Sequence, residues 1–282
     1  MMIRITVIAC LLGMFCTAKA GADALDEIAD RGTIRLGVRA AAPPFSFIDE
    51  AGQPSGLAVS LCRRIAVSIG ERLGLTSMTT DYVVVDSLTR FSMLENGEVD
   101  LHCGPMTATL ARREIVDFSI PYYMDGVGAA LREGGVPEIS ALSGQPVGAL
   151  AGTTAVETAK AFSAKGASEL IEFASHQAGL RALGDGLIDV YFGDQGLLLH
   201  QLSVLKKENP AMPIEVLDEQ FTFEPYAIAM RAGEHRLRVE ADRALSAIYR
   251  SDDIFTELEA ALGPSNLSDL TALIYALMAL PE

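Results

Sequence analysis

The sequence predicts an α/β fold of two lobes, each a mainly parallel sheet flanked by helices, with two crossing strands joining them. Three observations carry this. Between Gly32 and Cys103, short apolar runs alternate with helical periodicity in the β-α-β-α-β rhythm of a parallel sheet. The same rhythm restarts near Gly144 and runs to Leu217. Between and after these series lie Tyr122 to Arg132 and Phe223 to Met230, which are apolar and extended rather than composed like flexible linkers. The chain is thus expected to cross into a second lobe and return. The division read from this is 21–124 for the first part of lobe 1, 125–223 for lobe 2, and 224–282 for the remainder of lobe 1 with a C-terminal helix.

The elements follow in order. After a polar start, Gly32 to Val38 reads as a buried strand, and Phe45 to Ile48 with the turn at Glu50 to Pro54 as a small hairpin. Ala58 to Leu73 carries Val59, Cys62, Ile65, Ala66, Ile69 and Leu73 at helical spacing and stops near Gly74. Asp81 to Val85 is a strand, Leu88 to Asn96 a helix closed by Gly97, and Val99 to Cys103 a third strand. In the second series the strands are Val147 to Leu150, Leu170 to Ala174, Asp189 to Phe192 and Ile214 to Leu217. The helices are Gly152 to Ala164, Gln177 to Leu183 and Gln195 to Lys207. Arg236 to Tyr249 and Ile254 to Leu262 are helical. The last helix, Leu267 to Leu280, puts Leu267, Leu270, Ile274, Leu277 and Met278 on one face, expected to pack on lobe 1, with a partner-binding face as the other reading.

Residues 1–20 read as a signal peptide: Arg4 in the n-region, an apolar stretch from Ile5 to Phe15, and Ala18-Lys19-Ala20 as a cleavage site near Ala20. Export to the periplasm follows. The chain has 22 basic and 37 acidic residues, a formal net charge of −15. Removing the leader takes away Arg4 and Lys19 and no acid, which makes the balance more negative. Such a surface repels nucleic acid and anionic lipid, so neither is an expected partner. Cys10 and Cys16 leave with the leader. Cys62 and Cys103 remain, either as a disulfide formed in an oxidising compartment or as two buried thiols. The scattered histidines and the lack of a Cys/His cluster give no metal site, and no cofactor is expected.

In open α/β sheets, ligands bind outside the carboxyl ends of the strands. Residues just past those ends are Arg39, then Ser87 and Arg90, then Pro105, Thr107 and Arg112, with Gly152 to Thr154, His176 and Asp194 from the second lobe. An acidic protein is placing three arginines and a histidine where a ligand should sit, which calls for an anion with more than one negative group. Asp194 is the one carboxylate and suits an ammonium. Together these groups form a zwitterion clamp with an extra anionic pocket.

The motifs GTIRLGV with PPFSF, GEVDL, PMTATLARREIVDFSIPYY, GTT and IDVYFGD carry a resemblance over roughly residues 25–262. The chain resembles the periplasmic polar amino-acid solute-binding proteins (bacterial extracellular solute-binding protein family 3), closest to the glutamate/aspartate-binding branch. That family's fold also forms the ligand core of ionotropic glutamate receptors. The resemblance implies the type II periplasmic-binding-protein fold and a monomer that hands an amino acid to an inner-membrane ABC permease. It implies that Arg112 holds the α-carboxylate with the Thr107 amide and Thr154. The Pro105 carbonyl, the Thr107 hydroxyl and Asp194 would hold the α-ammonium. Arg39, Ser87, Arg90 and His176 match the side-chain pocket of the acidic branch, while Ala40 to Ala42 and Pro105 depart from it. Asp100, Asp117, Phe118 and Ser119 read as fixing the loop and hinge, and His102 as lying in the sheet. Phe45 and Phe47 are either pocket wall or core.

An enzymatic reading stands beside this one. A few proteins of the fold are cyclohexadienyl (arogenate or prephenate) dehydratases, and Glu157 is the candidate acid, against the plainer reading of a helix-surface glutamate. No nucleophile–base pair stands out. A third reading, a membrane sensor, needs a transmembrane segment of which the chain shows none.

Overall fold

The computed structural model describes residues 23–134, 144–166, 169–251, 253–263 and 269–282. The leader expected over residues 1–20, its cleavage site and Leu267 lie outside the described residues. The chain opens with a helix the sequence reading did not anticipate, α1 (Ala24–Arg31), with the Asp23 carboxylate capping Leu25 N–H and Gly32 closing it at φ 64°. Only Ala24, Leu25 and Ile28 are buried in an otherwise charged segment, so its apolar stripe is too thin to stand out.

There follow β1 (Thr33–Val38), the short β2 (Ala41–Ala42), β3 (Ser46–Ile48) and β4 (Pro54–Ser55), α2 (Leu57–Arg72), β5 (Thr79–Val84), α3 (Arg90–Glu95), β6 (Leu101–Cys103), α4 (Leu110–Arg113) and β7 (Val116–Asp125). The second half comprises β8 (Val127–Arg132), β9 (Val147–Leu150), α5 (Ala155–Gly166), β10 (Leu170–Phe173), α6 (His176–Gly184), β11 (Val190–Asp194), α7 (Gln195–Glu208) and β12 (Ile214–Val216). The chain ends with β13 (Glu224–Arg231), α8 (His235–Arg250), α9 (Asp253–Leu262) and α10 (Asp269–Met278).

One sheet has the order β5-β1-β6-β13-β7 and the other β10-β9-β11-β8-β12. In each, three parallel strands are followed on one side by a single reversed strand and then a strand that runs with the first three: β13 runs against β6 and β7, and β8 runs against β11 and β12. The fold is therefore the two-lobed α/β architecture that the βα rhythm predicts. The first crossing differs in detail from the single segment read at Tyr122 to Arg132. It is two strands, β7 in one sheet and β8 in the other, with Gly126 as the joint. A Cβ there would lie 2.5 Å from the Thr222 carbonyl oxygen, two residues before the returning strand, so the paired crossings leave room only for glycine. Val127 N–H donates to Thr222 Oγ1 at 3.0 Å, tying the outgoing chain to the returning one.

Alternation along the strands decides what each face packs against. On β6, Cys103 points at α2 and is joined to Cys62 in a disulfide with Cα atoms 6.0 Å apart. His102 points to the opposite face. The main core of the first lobe gathers α2 residues Leu61, Ile65 and Ile69 with Ile34, Leu36, Tyr122 and Ile228. Each such side chain contributes roughly 1.5–3 kcal/mol on burial. Asp100, read as a loop-fixing residue, accepts from Arg31 and Arg35, and Ser119 Oγ accepts the Ile228 amide. Phe45 is core, packed against Tyr123 and Tyr226.

The C-terminal helix corrects the sequence reading. It does pack on the first lobe, but through Tyr275, whose hydroxyl donates to the Tyr122 carbonyl at 2.8 Å, with Met278 beside it. Leu270, Ile274 and Leu277, the face expected to pack, are exposed. A buried tyrosine with a hydrogen-bond partner fixed the helix's rotation, and leucine spacing did not. Among the described residues no helix is long and apolar enough to cross a membrane.

Candidate functional site

The carboxyl ends of both sheets face one another, and the lobes touch there. Arg39 follows β1, Ser87 follows β5, Arg90 opens α3, and residues 104–107 follow β6. From the other side, Gly152 to Thr154 follow β9, His176 opens α6 and Asp194 ends β11. A small cavity between them is lined by Arg39, Ala42, Arg90, Pro105, Leu150, Thr153, His176, Gly193, Asp194 and Leu197. Of the residues singled out in the sequence, Arg39, Arg90, Pro105, His176 and Asp194 thus line one cavity. Ser87, Thr107, Arg112 and Thr154 form a surrounding layer.

That layer also closes the cleft. A Cβ on Gly152 would lie 2.7 Å from the Ser87 carbonyl oxygen, so the positive-φ Gly152 lets the lobes meet. Arg90 Nη1 donates to the Pro105 carbonyl at 3.2 Å and Nη2 to the Gly152 carbonyl at 3.0 Å, which spans the cleft. The Pro105 carbonyl is therefore already engaged by Arg90. Arg112 Nη1 donates to the Thr107 carbonyl at 3.0 Å. Thr154 Oγ1 donates to Glu224 Oε2 at 2.9 Å, so its hydroxyl serves the crossing strand.

Two guanidinium groups line this small volume, Arg39 and Arg90, and a third, Arg112, lies in the layer behind them. Arg90 is fully buried, and burial, then Arg112 and Arg39, push it well below the usual arginine range. Burial lowers Arg39 and Arg112 too. Among the described residues none of the three lies within salt-bridge distance of a carboxylate. Phe91, which the sequence reading passed over, sits under two of them, with its ring centre 5.2 Å from the Arg90 Cζ and 5.7 Å from that of Arg112. Arg90 Nε is buried without a partner. An arginine cluster of this kind demands an anion.

Opposite it, Asp194 accepts a hydrogen bond from the Tyr226 hydroxyl through Oδ2, while Oδ1 is buried with no partner. Burial, then the Asp125 charge, raises the Asp194 carboxyl to about 7. Asp125 accepts from the Gly126 amide at 2.9 Å and from Gly196, and Tyr226 reaches it at 3.4 Å. Tyr226, Glu224 and Asp125 all belong to the crossing strands. In sequence those strands read as connections, and their polar side chains are not among the expected site residues. The sequence signal is slight, two acids and a tyrosine inside otherwise apolar runs, and it does not say where they point.

His176 is neutral, pushed down to about 4 by burial and then by Arg39. His102 lies beneath the arginines with both ring nitrogens buried and unpartnered; burial, then Arg90, Arg39 and Arg112, hold it neutral. Glu157 is on the outer surface of α5, paired with Lys160 at 2.9 Å, and is no part of the cleft.

Two lobes closing on a buried cleft with cations on one side and an unpaired carboxylate oxygen on the other define a solute-binding protein. The family model for bacterial extracellular solute-binding proteins, family 3, matches residues 34–259, and the chain belongs to that family. It is 28% identical over 252 residues to an L-glutamate/L-aspartate-binding protein of Pseudomonas aeruginosa, covering 88% of this chain and 82% of the relative. It is 27% identical over 239 residues to an ABC transporter glutamine-binding protein of Bacillus subtilis, covering 84% and 83%. Among solved structures it is similar to an ancestral amino acid-binding protein described as a precursor of cyclohexadienyl dehydratase, with a TM-score of 0.74 and 25% identity over 85% of this chain and 99% of that one.

Proposed function

We propose that this protein is the periplasmic substrate-binding component of an ABC amino-acid importer and that it binds an acidic amino acid, glutamate or aspartate, between its lobes. The observation that carries the reading is the pairing of Arg39 and the buried Arg90 with the unpartnered Oδ1 of Asp194 around one cavity, with Arg112 in the layer behind. Asp194 receives the α-ammonium, with the Thr107 hydroxyl and Pro105 carbonyl beside it. Arg112 receives the α-carboxylate, with the Thr107 amide and the backbone of Thr154. Arg39, Arg90, Ser87 and His176 face the distal carboxylate. Because the ligand bridges both lobes, it stabilises the closed form that a membrane permease would recognise. The glutamate/aspartate-binding relative supports the acidic choice, and the glutamine-binding relative makes the distal group the point to test.

The dehydratase reading has the ancestral structural neighbour in its favour. Against it, Glu157 is exposed and ion-paired, so the acid that reading names is not in the cleft.

A thermal-shift panel on refolded, ligand-stripped protein tests the proposal. Glutamate and aspartate at a hundredfold excess over their dissociation constants should stabilise by about 2.7 kcal/mol, seen as a rise in Tm. Glutamine and arginine should shift it less. Aromatic product from prephenate or arogenate would support the enzyme instead.

A further inference from the structure

We infer that Tyr191 is a positioning residue that holds His176 as its Nε2–H tautomer, so that the cleft presents a neutral N–H donor and selects a ligand whose distal group carries acceptors only. This rests on the amino-acid-binding reading above and deepens it.

His176 lines the cavity, and its Nδ1 lies 3.2 Å from the Tyr191 hydroxyl, with both residues buried. The two rings meet edge to face, centroids 6.0 Å apart at 89°. A neutral imidazole has one N–H and one acceptor nitrogen, and a phenol has one proton to donate. If Nδ1 carried the proton, it would donate to the Tyr191 oxygen. The phenol proton would then be left in a buried space where the imidazole is its one hydrogen-bond partner among the described residues. If the phenol donates to Nδ1, both groups are satisfied and the imidazole proton must sit on Nε2. Burial, with the nearby Asp194 charge, pushes the Tyr191 hydroxyl far above its usual range, so it stays a donor.

Two glycines frame the pair. A Cβ on Gly179 would lie 2.0 Å from Tyr191 Cε2, so the tyrosine ring occupies the space a side chain on α6 would take. A Cβ on Gly193 would lie 3.3 Å from His176 Cε1. Glycine inside a helix is disfavoured relative to alanine, and here it has a packing reason. Asp194 is taken by the α-ammonium in the reading above, and the other charged or imidazole groups of the cavity are donors: the Arg39 guanidinium, the unpartnered Arg90 Nε and His176 Nε2–H. A carboxylate satisfies all of them. The NH2 of an amide, or a guanidinium, would face donors with its own donors and lose the hydrogen bonds it had in water.

The test has two readouts. The first is the imidazole 15N spectrum of ligand-free protein from pH 5.5 to 8. A protonated Nε2 and bare Nδ1 for His176 throughout is the expected result, and a proton on Nδ1 overturns the inference whatever the protein binds. The second is calorimetry on Tyr191→Phe, His176→Ala and His176→Gln. Removing the phenol should weaken glutamate by about 3- to 10-fold, the factor set by one neutral hydrogen bond, and weaken glutamine less. His176→Gln, which keeps a side-chain N–H donor, should restore part of what His176→Ala loses. An equal loss for both ligands, or none, in Tyr191→Phe overturns the selectivity claim. If the wild-type protein binds no amino acid, the receptor reading fails and selectivity with it, while the spectrum still decides the tautomer.

Discussion

Asp194 and Arg112 are assigned to the two groups on the α-carbon of one proposed ligand, the ammonium and the carboxylate, and their opposite charges separate the two contributions. Asp194→Asn removes the charge that meets the ammonium. Loss of a charge-assisted bond of about 1.5–3 kcal/mol, with the arginines left less compensated, should weaken glutamate by about 100-fold. Arg112→Ala should do the same through the carboxylate. Circular dichroism should show both variants folded, because neither side chain is core; normal calorimetric binding by either would reject the assignment. The raised Asp194 carboxyl adds a pH signature. Burial in the closed cleft takes its pKa from 3.8 to about 7, so this group's stability contribution is full below pH 3.8 and is lost as the pH rises through 7. Binding an ammonium needs the ionised form. Glutamate affinity should therefore fall as pH drops below about 7, by up to tenfold per unit, with proton release on binding. Titrations at pH 6 in buffers of different ionisation enthalpy measure that proton directly.

At the scale of elements, the disulfide between α2 and β6 fixes the strand end from which residues 104–107 emerge. It closes a loop of 41 residues. On loop entropy alone, Cys62→Ala with Cys103→Ala should cost about 3–4 kcal/mol, read as a lower urea midpoint. An unchanged midpoint would mean the bridge is not formed in solution. Gly126→Ala should also destabilise, because its Cβ collides with backbone at Thr222 rather than with a flexible side-chain end. The alternation of βα units was legible because strand and helix periods differ, and the strand ends then placed Arg39, Arg90, His176 and Asp194 without further information. What was not legible depended on rotation or on distant partners. The face of α10 was set by Tyr275 reaching Tyr122, and α1 has too few apolar positions to show a period. Tyr226 and Glu224 lie in a run that reads as plain strand, and only strand pairing brings them to Asp125 and Asp194.

The whole molecule is held closed by contacts from opposite lobes: Arg90 to the Gly152 carbonyl, Thr154 to Glu224, and Gln201 to the Ala41 carbonyl at 3.4 Å. Each is a single hydrogen bond, worth about 1 kcal/mol when neutral and about 1.5–3 kcal/mol for the two with a charged partner, so a few such bonds leave the closed form dependent on a bridging ligand. Small-angle scattering should show the ligand-free protein expanding relative to the glutamate-bound one. The most direct test of the central claim is calorimetric titration of refolded, ligand-free protein at pH 7.5 with L-glutamate, beside L-glutamine and L-arginine. We expect one site per chain, about micromolar or tighter for glutamate, at least tenfold weaker glutamine and no heat from arginine. Arginine or glutamine binding more tightly than glutamate would contradict the acidic pocket built from Arg39, Arg90 and His176.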